Sequence, residues 1–237
     1  MNVNTFAQMA QLAYLDGKEA KPHYKKLGFT FHKFFDVDGA QCHVVRNKEN
    51  LVICFRGTEP TELSDVLADL NAWPSKGKLD GWVHSGFQGE LDKLWDDVKA
   101  YVDGFAKLNV YICGHSLGAA MATLCASRMP QALGLYTYGS PRVGTRSFVK
   151  ALKVPHTRCV NNNDIVTSVP LAFMGYKHHG KLCYINYYGN IRKFTPWQRF
   201  KDKWRGRWAA LKKKMPFDGA YDHSMEHYCK YTEDKDV

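Results

Sequence analysis

The stretch from Val110 to Ala120 constrains this chain more than any other. An apolar run, Val110-Tyr111-Ile112-Cys113, passes without a spacer into Gly114-His115-Ser116-Leu117-Gly118 and then into Ala119-Ala120. A G-x-S-x-G turn between a strand and a helix lifts its serine out at the end of a sheet. Gly114 and Gly118 keep Cβ atoms out of that crowded turn, and the N-terminus of the next helix lends positive potential to a developing oxyanion. A glycine-rich turn with an ordinary capping serine would share the five residues. It would not need the apolar run before them and the small-residue helix after them.

The remaining pattern supplies a setting for such a turn. Apolar runs predict strands at Gln41–Val45, Leu51–Phe55, Val110–Cys113, Leu135–Tyr138, Thr157–Val160 and Lys181–Tyr187. Between them, helical spacing covers Asn4–Leu15, Thr61–Asn71, Gly86–Ala106 and Gly118–Ser127. Alternation of this kind argues for an α/β fold with a mainly parallel central sheet flanked by helices. The first two strands, joined by Asn47–Asn50, read as a hairpin. With 45% apolar residues and no repeat or low-complexity linker, residues 1–237 read as one domain.

Composition removes several classes. No apolar run reaches the ~18–20 residues of a membrane-crossing helix. Seven scattered cysteines, an odd number without a CxxC pair, argue against a disulfide framework or a zinc site and fit buried thiols in a reducing compartment. Met1-Asn2-Val3-Asn4-Thr5 has no basic or apolar leader region, so a cytoplasmic or membrane-peripheral location is expected, with export left open.

A serine nucleophile needs a base, and the base needs an orienting group. Asp164 follows an apolar strand in Asn161-Asn162-Asn163-Asp164, where a sheet-edge loop would aim its carboxylate at the site. Asp202 lies in a basic segment, and Asp218 and Asp222 read as turn or capping acids. Of the histidines after Ser116 (His156, His178, His179, His223 and His227), His223 stands in a loop before a terminal helix that Asp222 or Ser224 could cap. His178 and His179 precede a strand, which favours a supporting role for one of them. Spacing alone separates neither Asp164 from a turn residue nor His223 from its rivals.

Six blocks carry a resemblance: Phe55-Arg56-Gly57-Thr58, Val83-His84-Ser85-Gly86-Phe87, Gly114–Gly118, Tyr138-Gly139-Ser140-Pro141-Arg142-Val143-Gly144, Asn163-Asp164-Ile165-Val166 with Val169-Pro170, and Asp222-His223-Ser224-Met225. In this order they resemble the signature blocks of the class 3 lipases, the fungal triacylglycerol lipase-like branch of the α/β-hydrolases. The resemblance implies a serine hydrolase that cleaves carboxylic esters of acyl lipids. Ser116 would be the nucleophile, His223 the base and Asp164 its orienting acid, with the backbone N–H groups of Thr58 and Leu117 forming the oxyanion hole. It implies a lipid or ester substrate and no metal or organic cofactor. His84 would brace its loop. It also implies a lid after the oxyanion block, where Leu63, Val66, Leu67 and Leu70 follow helical spacing with Trp73 beyond; a helix packed permanently on the core would show the same spacing. A phospholipase A1, a short-chain esterase and a catalytically inactive lipid-binding module are the rival readings. A pure binding role gives no reason to keep all three triad residues.

One segment departs from the family pattern. Of a net charge of +10, residues 191–215 hold ten Lys and Arg against Asp202 alone. Thr195-Pro196-Trp197-Gln198 reads as a helix start with a capping box. The helix then aligns Trp197, Phe200, Trp204, Trp208, Leu211 and Met215 on one face, as far as Pro216. Gly206 should weaken it slightly. Tryptophans beside a basic polar face suit an anionic membrane surface at residues 192–215. A helix that packs its stripe on the domain and leaves its basic face to solvent is the plain alternative. Nucleic acid is disfavoured, because the regular stripe points inward or into lipid, and no protein partner is implied.

Overall fold

The computed structural model describes residues 1–58, 73–212 and 218–233. The expected lid helix, with Leu63, Val66, Leu67 and Leu70, lies outside the described residues, as do Met215 and Pro216. In chain order the elements are α1 (Val3–Leu12), α2 (Gly17–Lys26), β1 (Phe31–Val37), β2 (Ala40–Arg46), β3 (Asn50–Phe55), β4 (Pro74–Lys76), β5 (Trp82–His84) and α3 (Ser85–Asp103). Next come β6 (Asn109–His115), α4 (Leu117–Arg128), β7 (Gly134–Tyr138), β8 (Gly144–Thr145), α5 (Arg146–Ala151), β9 (His156–Asn161), β10 (Tyr176–Lys177) and β11 (Lys181–Ile185). The chain continues through α6 (Pro196–Lys212), α7 (Asp218–Tyr221) and α8 (Met225–Thr232).

The main sheet runs β1-β2-β3-β6-β7-β9-β11. Its first three strands pair antiparallel, so the expected hairpin between β2 and β3 forms. From β3 to β11 every pairing is parallel, with Ile53 opposite Ile112 and Cys113 opposite Tyr136. Strand alternation sorts side chains to two cores. Leu51, Ile53, Phe55, Val110, Ile112 and Leu135 face α3 and α4. Val52, Cys54, Cys113 and Tyr138 face α1, α2 and α8. Burial on both faces explains why these strands read as near-continuous apolar runs.

The helices fit the layers for different reasons. Along α3, Phe87, Leu91, Leu94, Val98 and Val102 form one buried stripe at steps of three and four. In α4, small residues such as Ala119, Ala120, Ala122 and Ala126 let the helix lie close on the sheet, and Gly118 through Ser127 are all buried. Six of the seven cysteines are buried and all are free; burial pushes the Cys125 thiol up to about 12, leaving it an inert filler.

Candidate active site

The turn at Ser116 is built by its neighbours. Strand β6 ends at His115, α4 begins at Leu117, and Ser116 between them adopts φ 57 and ψ −127. A positive φ at a residue with a Cβ is strained by on the order of 1–3 kcal/mol and persists only where the surroundings impose it. Here the Ser116 N–H donates to the Tyr138 carbonyl at 3.1 Å, tying the turn to β7. A Cβ on Gly114 would lie 2.4 Å from the Gly118 oxygen, and one on Gly118 would lie 2.3 Å from the Phe55 oxygen. Neither position admits a side chain, which is the steric reason for the motif.

The parallel register sets Phe55 beside Gly114 and so carries the loop Arg56–Thr58 to the Ser116 turn. Thr58 and Leu117 line one cavity of about 440 Å³ together with Arg56, Gly57 and Met121. Leu117 is the first residue of α4, where backbone N–H groups lack an intrahelical acceptor and point outward.

Asp164 and His223 come together from the far end of the chain. Strand β9 delivers Asp164 in a tight turn, with the Asp164 N–H donating to the Asn161 carbonyl at 2.8 Å and the Val166 N–H donating to Asp164 Oδ1 at 3.0 Å. The turn before α8 delivers His223, whose Nδ1–H donates to Asp164 Oδ1 and Oδ2, each at 2.9 Å. Burial alone would push the Asp164 carboxyl up. The facing His223, with its hydrogen bond and that of the Tyr228 hydroxyl, overcomes this and holds Asp164 below the usual carboxylate range. With Nδ1 committed as donor, Nε2 of a neutral His223 is the basic nitrogen. Ser116 Oγ and His223 Nε2 are both buried, and among the described residues neither has a hydrogen-bond partner. Other buried atoms, His43 Nε2 and Arg158 Nε among them, share this state; what sets these two apart is a hydroxyl on a strained turn and an imidazole nitrogen left basic by the Asp164 carboxylate.

Three supporting residues escaped the sequence reading. Tyr228, on α8, donates to Asp164 Oδ2 at 2.5 Å and accepts the Asn161 N–H at 3.0 Å. Burial and the adjacent Asp164 raise its hydroxyl well above the ordinary phenol range, so it remains a donor. His115 bridges the two halves of the site: Nε2 donates to the His223 carbonyl at 2.8 Å, and Nδ1 receives the Tyr14 hydroxyl at 2.7 Å. A carbonyl can only accept, which fixes this tautomer. Burial, reinforced by His223, lowers His115 to about 3, so it stays neutral at physiological pH. Tyr228 stands five residues past His223, on a helix that His223 itself precedes, so no local spacing flags it, and for His115 and Tyr14 there is no sequence signal either.

The other singled-out residues fall away from this cluster. His84 caps α3, its Nδ1 accepting the Phe87 N–H at 3.4 Å. His178 Nε2 donates to the Thr167 carbonyl at 2.9 Å, behind the acid turn, and His179 pairs with His156 at 3.0 Å. Asp222 Oδ2 accepts the Asn163 N–H at 2.9 Å, next to Asp164 in the turn. Trp73 is 85% exposed. The capping box on α6 forms, with Thr195 N–H to Gln198 Oε1 at 2.8 Å and Gln198 N–H to Thr195 Oγ1 at 3.3 Å. The stripe on that helix faces out: Trp197, Phe200, Trp204, Trp208 and Leu211 are exposed, while Asp202, Gly206 and Ala210 are buried. A helix with its aromatic face packed on the domain is therefore excluded. No group of three His, Cys, Asp or Glu side chains among the described residues is placed to hold a metal ion.

A parallel sheet with a serine on a strained strand-to-helix turn, and an Asp–His pair from later loops beside it, defines an α/β-hydrolase. The family profile of class 3 lipases matches residues 52–174, just over half of the chain. This chain belongs to the class 3 lipase family. It is similar to the toxin TseL of Vibrio cholerae (31% identical over 202 residues, covering 66% of this chain and 31% of TseL). It is similar also to the lipase of Rhizomucor miehei (35% identical over 152 residues, covering 57% of this chain and 41% of that lipase). The chain thus spans well under half the length of these curated relatives. A solved triacylglycerol lipase whose catalytic centre is described as a serine protease triad superposes with a TM-score of 0.65 at 25% identity, covering 77% of this chain and 78% of that one.

Proposed function

We propose that residues 1–237 form one hydrolase domain that cleaves carboxylic ester bonds of acyl lipids through an acyl-enzyme. Ser116 Oγ attacks the ester carbonyl while His223 Nε2 takes its proton and passes it to the leaving alcohol. Water then enters by the same route to release the acid. Asp164 holds the imidazole in the tautomer that leaves Nε2 basic. The N–H groups of Thr58 and Leu117 receive the oxyanion, each worth a factor of ~10²–10³ in rate. The observation that carries this reading is the pair of unpartnered buried atoms, Ser116 Oγ and His223 Nε2, with His223 already locked on a buried carboxylate.

The substrate is expected at a lipid surface. No helix among the described residues is long and apolar enough to cross a membrane; a peripheral, cytoplasm-facing location is our reading, with residues 192–215 as the side that meets lipid. The lid role of Leu63, Val66, Leu67, Leu70 and Trp73 belongs to the same proposal. The outward basic-aromatic helix favours phospholipase A1 activity on anionic membranes as the second reading over action on neutral oil.

The test is hydrolysis of p-nitrophenyl esters of increasing chain length and of phospholipid vesicles, wild type beside Ser116→Ala. Cleavage by wild type alone, with long chains or vesicles preferred, supports the reading. Preference for short soluble esters would make the chain an esterase; no cleavage at all would leave a binding module.

A further inference from the structure

Helix α6 is built with its polar side in. Asp202, Gly206 and Ala210, four residues apart, are its buried positions, whereas Trp197, Phe200, Trp204, Trp208 and Leu211 are each between 51% and 66% exposed. The seat is specific. Asp202 Oδ2 accepts from Asn162 Nδ2 at 2.7 Å, the Tyr184 hydroxyl at 3.0 Å and the Tyr187 N–H at 2.9 Å. Asn163 Nδ2 donates to the Lys203 carbonyl at 3.0 Å. A Cβ on Gly206 would stand 2.4 Å from Asn162 Oδ1 and 2.6 Å from Asn163 Nδ2, so only glycine lets the helix approach this closely. Asn162 and Asn163 directly precede Asp164 in the chain.

We infer that the outer face of α6 is a docking surface for an anionic phospholipid bilayer, rigidly joined to the turn that carries Asp164. This inference rests on the hydrolase reading only for its purpose, which is to hold the Ser116 site against the lipid that supplies its substrate. Charge complementarity selects the partner. Arg192, Lys193, Lys201, Arg207 and Lys212 are exposed on and beside the helix, and the exposed Arg205 reaches the segment's one acid, the buried Asp202, at 3.5 Å. Between the cations the aromatics contact one another, with Trp197 stacked on Phe200 at 5.3 Å and Phe200 edge-on to Trp204 at 6.3 Å. Tryptophan rings with cations alongside suit the headgroup boundary, where rings meet acyl carbon and cations meet phosphate. Single-strand nucleic-acid binders stack bases on aromatics along a groove, whereas the aromatics here form one stripe on the outer face of a helix.

The test uses the full chain carrying Ser116→Ala, so that vesicles stay intact, in sedimentation with equimolar phosphatidylcholine and phosphatidylglycerol or with phosphatidylcholine alone. Binding to the mixed vesicles is expected, weakening at least ~10-fold on phosphatidylcholine alone, because each surface cation contributes about fivefold. Adding Trp204→Ala and Trp208→Ala should lower affinity for mixed vesicles by ~10-fold or more. Putting the same two alanines into the chain with Ser116 intact, and measuring turnover of a soluble short ester, checks that the fold survives. Unchanged vesicle affinity in the double variant, equal binding to both vesicle types, or tighter binding to single-stranded nucleic acid than to vesicles would each overturn the inference. Vesicle binding does not depend on turnover, so an inactive wild type would defeat the hydrolase reading while leaving this result standing.

Discussion

Helices α4 and α6 obey opposite rules. In α4, Gly118 through Ser127 are all buried, and small apolar residues let it sit close beneath the Ser116 turn. In α6 the large apolar residues face outward, and the helix is fastened by a carboxylate, a glycine and an alanine. Periodicity identifies the two faces of an amphipathic helix without saying which faces inward. For α6 the answer lies in what surrounds Asp202: three donors from Asn162, Tyr184 and Tyr187 make a seat that an aromatic face could not fill. A buried carboxylate with its hydrogen bonds met can hold a helix in place, whereas one left without them would expel it.

The largest effects should come from the α4 end. Ser116→Ala is expected to lower kcat by ~10⁶-fold and His223→Ala by a similar factor, measured as single-site ester turnover, because triad members act as a unit. Asp164→Asn should cost ~10⁴-fold by offering His223 the wrong tautomer. At the α6 end the effect should move from chemistry to stability. Asp202→Ala strands the three donors, and a loss of about 2–4 kcal/mol in urea unfolding is expected; a change near zero would mean that the seat does not hold the helix.

Smaller still is the effect expected at Tyr228. The Asp164 carboxyl lies below its ordinary range in the folded chain, so its stabilisation is present above that range and is lost as pH falls through the folded value. Tyr228→Phe removes one donor and raises the folded value, so acid unfolding followed by circular dichroism should begin at higher pH, with about 1 kcal/mol lost at neutral pH. The smallest change is predicted for Trp204→Ala with Trp208→Ala. Both rings are exposed, so urea stability should move by less than ~0.5 kcal/mol. A loss of several kcal/mol would show that the two helices follow one rule after all.

What the sequence disclosed, and what it hid, follows the same physical line. The parallel strands were legible because burial on both faces makes them continuous apolar runs, as at Leu51–Phe55 and Val110–Cys113. The Ser116 turn was legible because two glycines are sterically required there. Edge strand β1 was hidden because it is partly exposed and carries Lys33 and Asp36 among its aromatics. Strands β4, β5, β8 and β10 span two or three residues, too few to show a period. Helix α2 contains Pro22 and buries only Ala20 and Tyr24, so its stripe is too thin to read. The pairing of Asp164 with His223 was legible only through the ordered family blocks, since the two meet across 59 residues that leave no local trace. Tyr228, which completes the acid's shell, has no block of its own, and a tyrosine on a helix reads as core.

The central claim is that Ser116 is an activated nucleophile, and reaction with a fluorophosphonate tests it most directly. Wild-type protein should take up one phosphonyl group per chain, mapped by peptide mass spectrometry to Ser116, and His223→Ala should slow the uptake sharply. No adduct, or an adduct on another residue, would contradict the account.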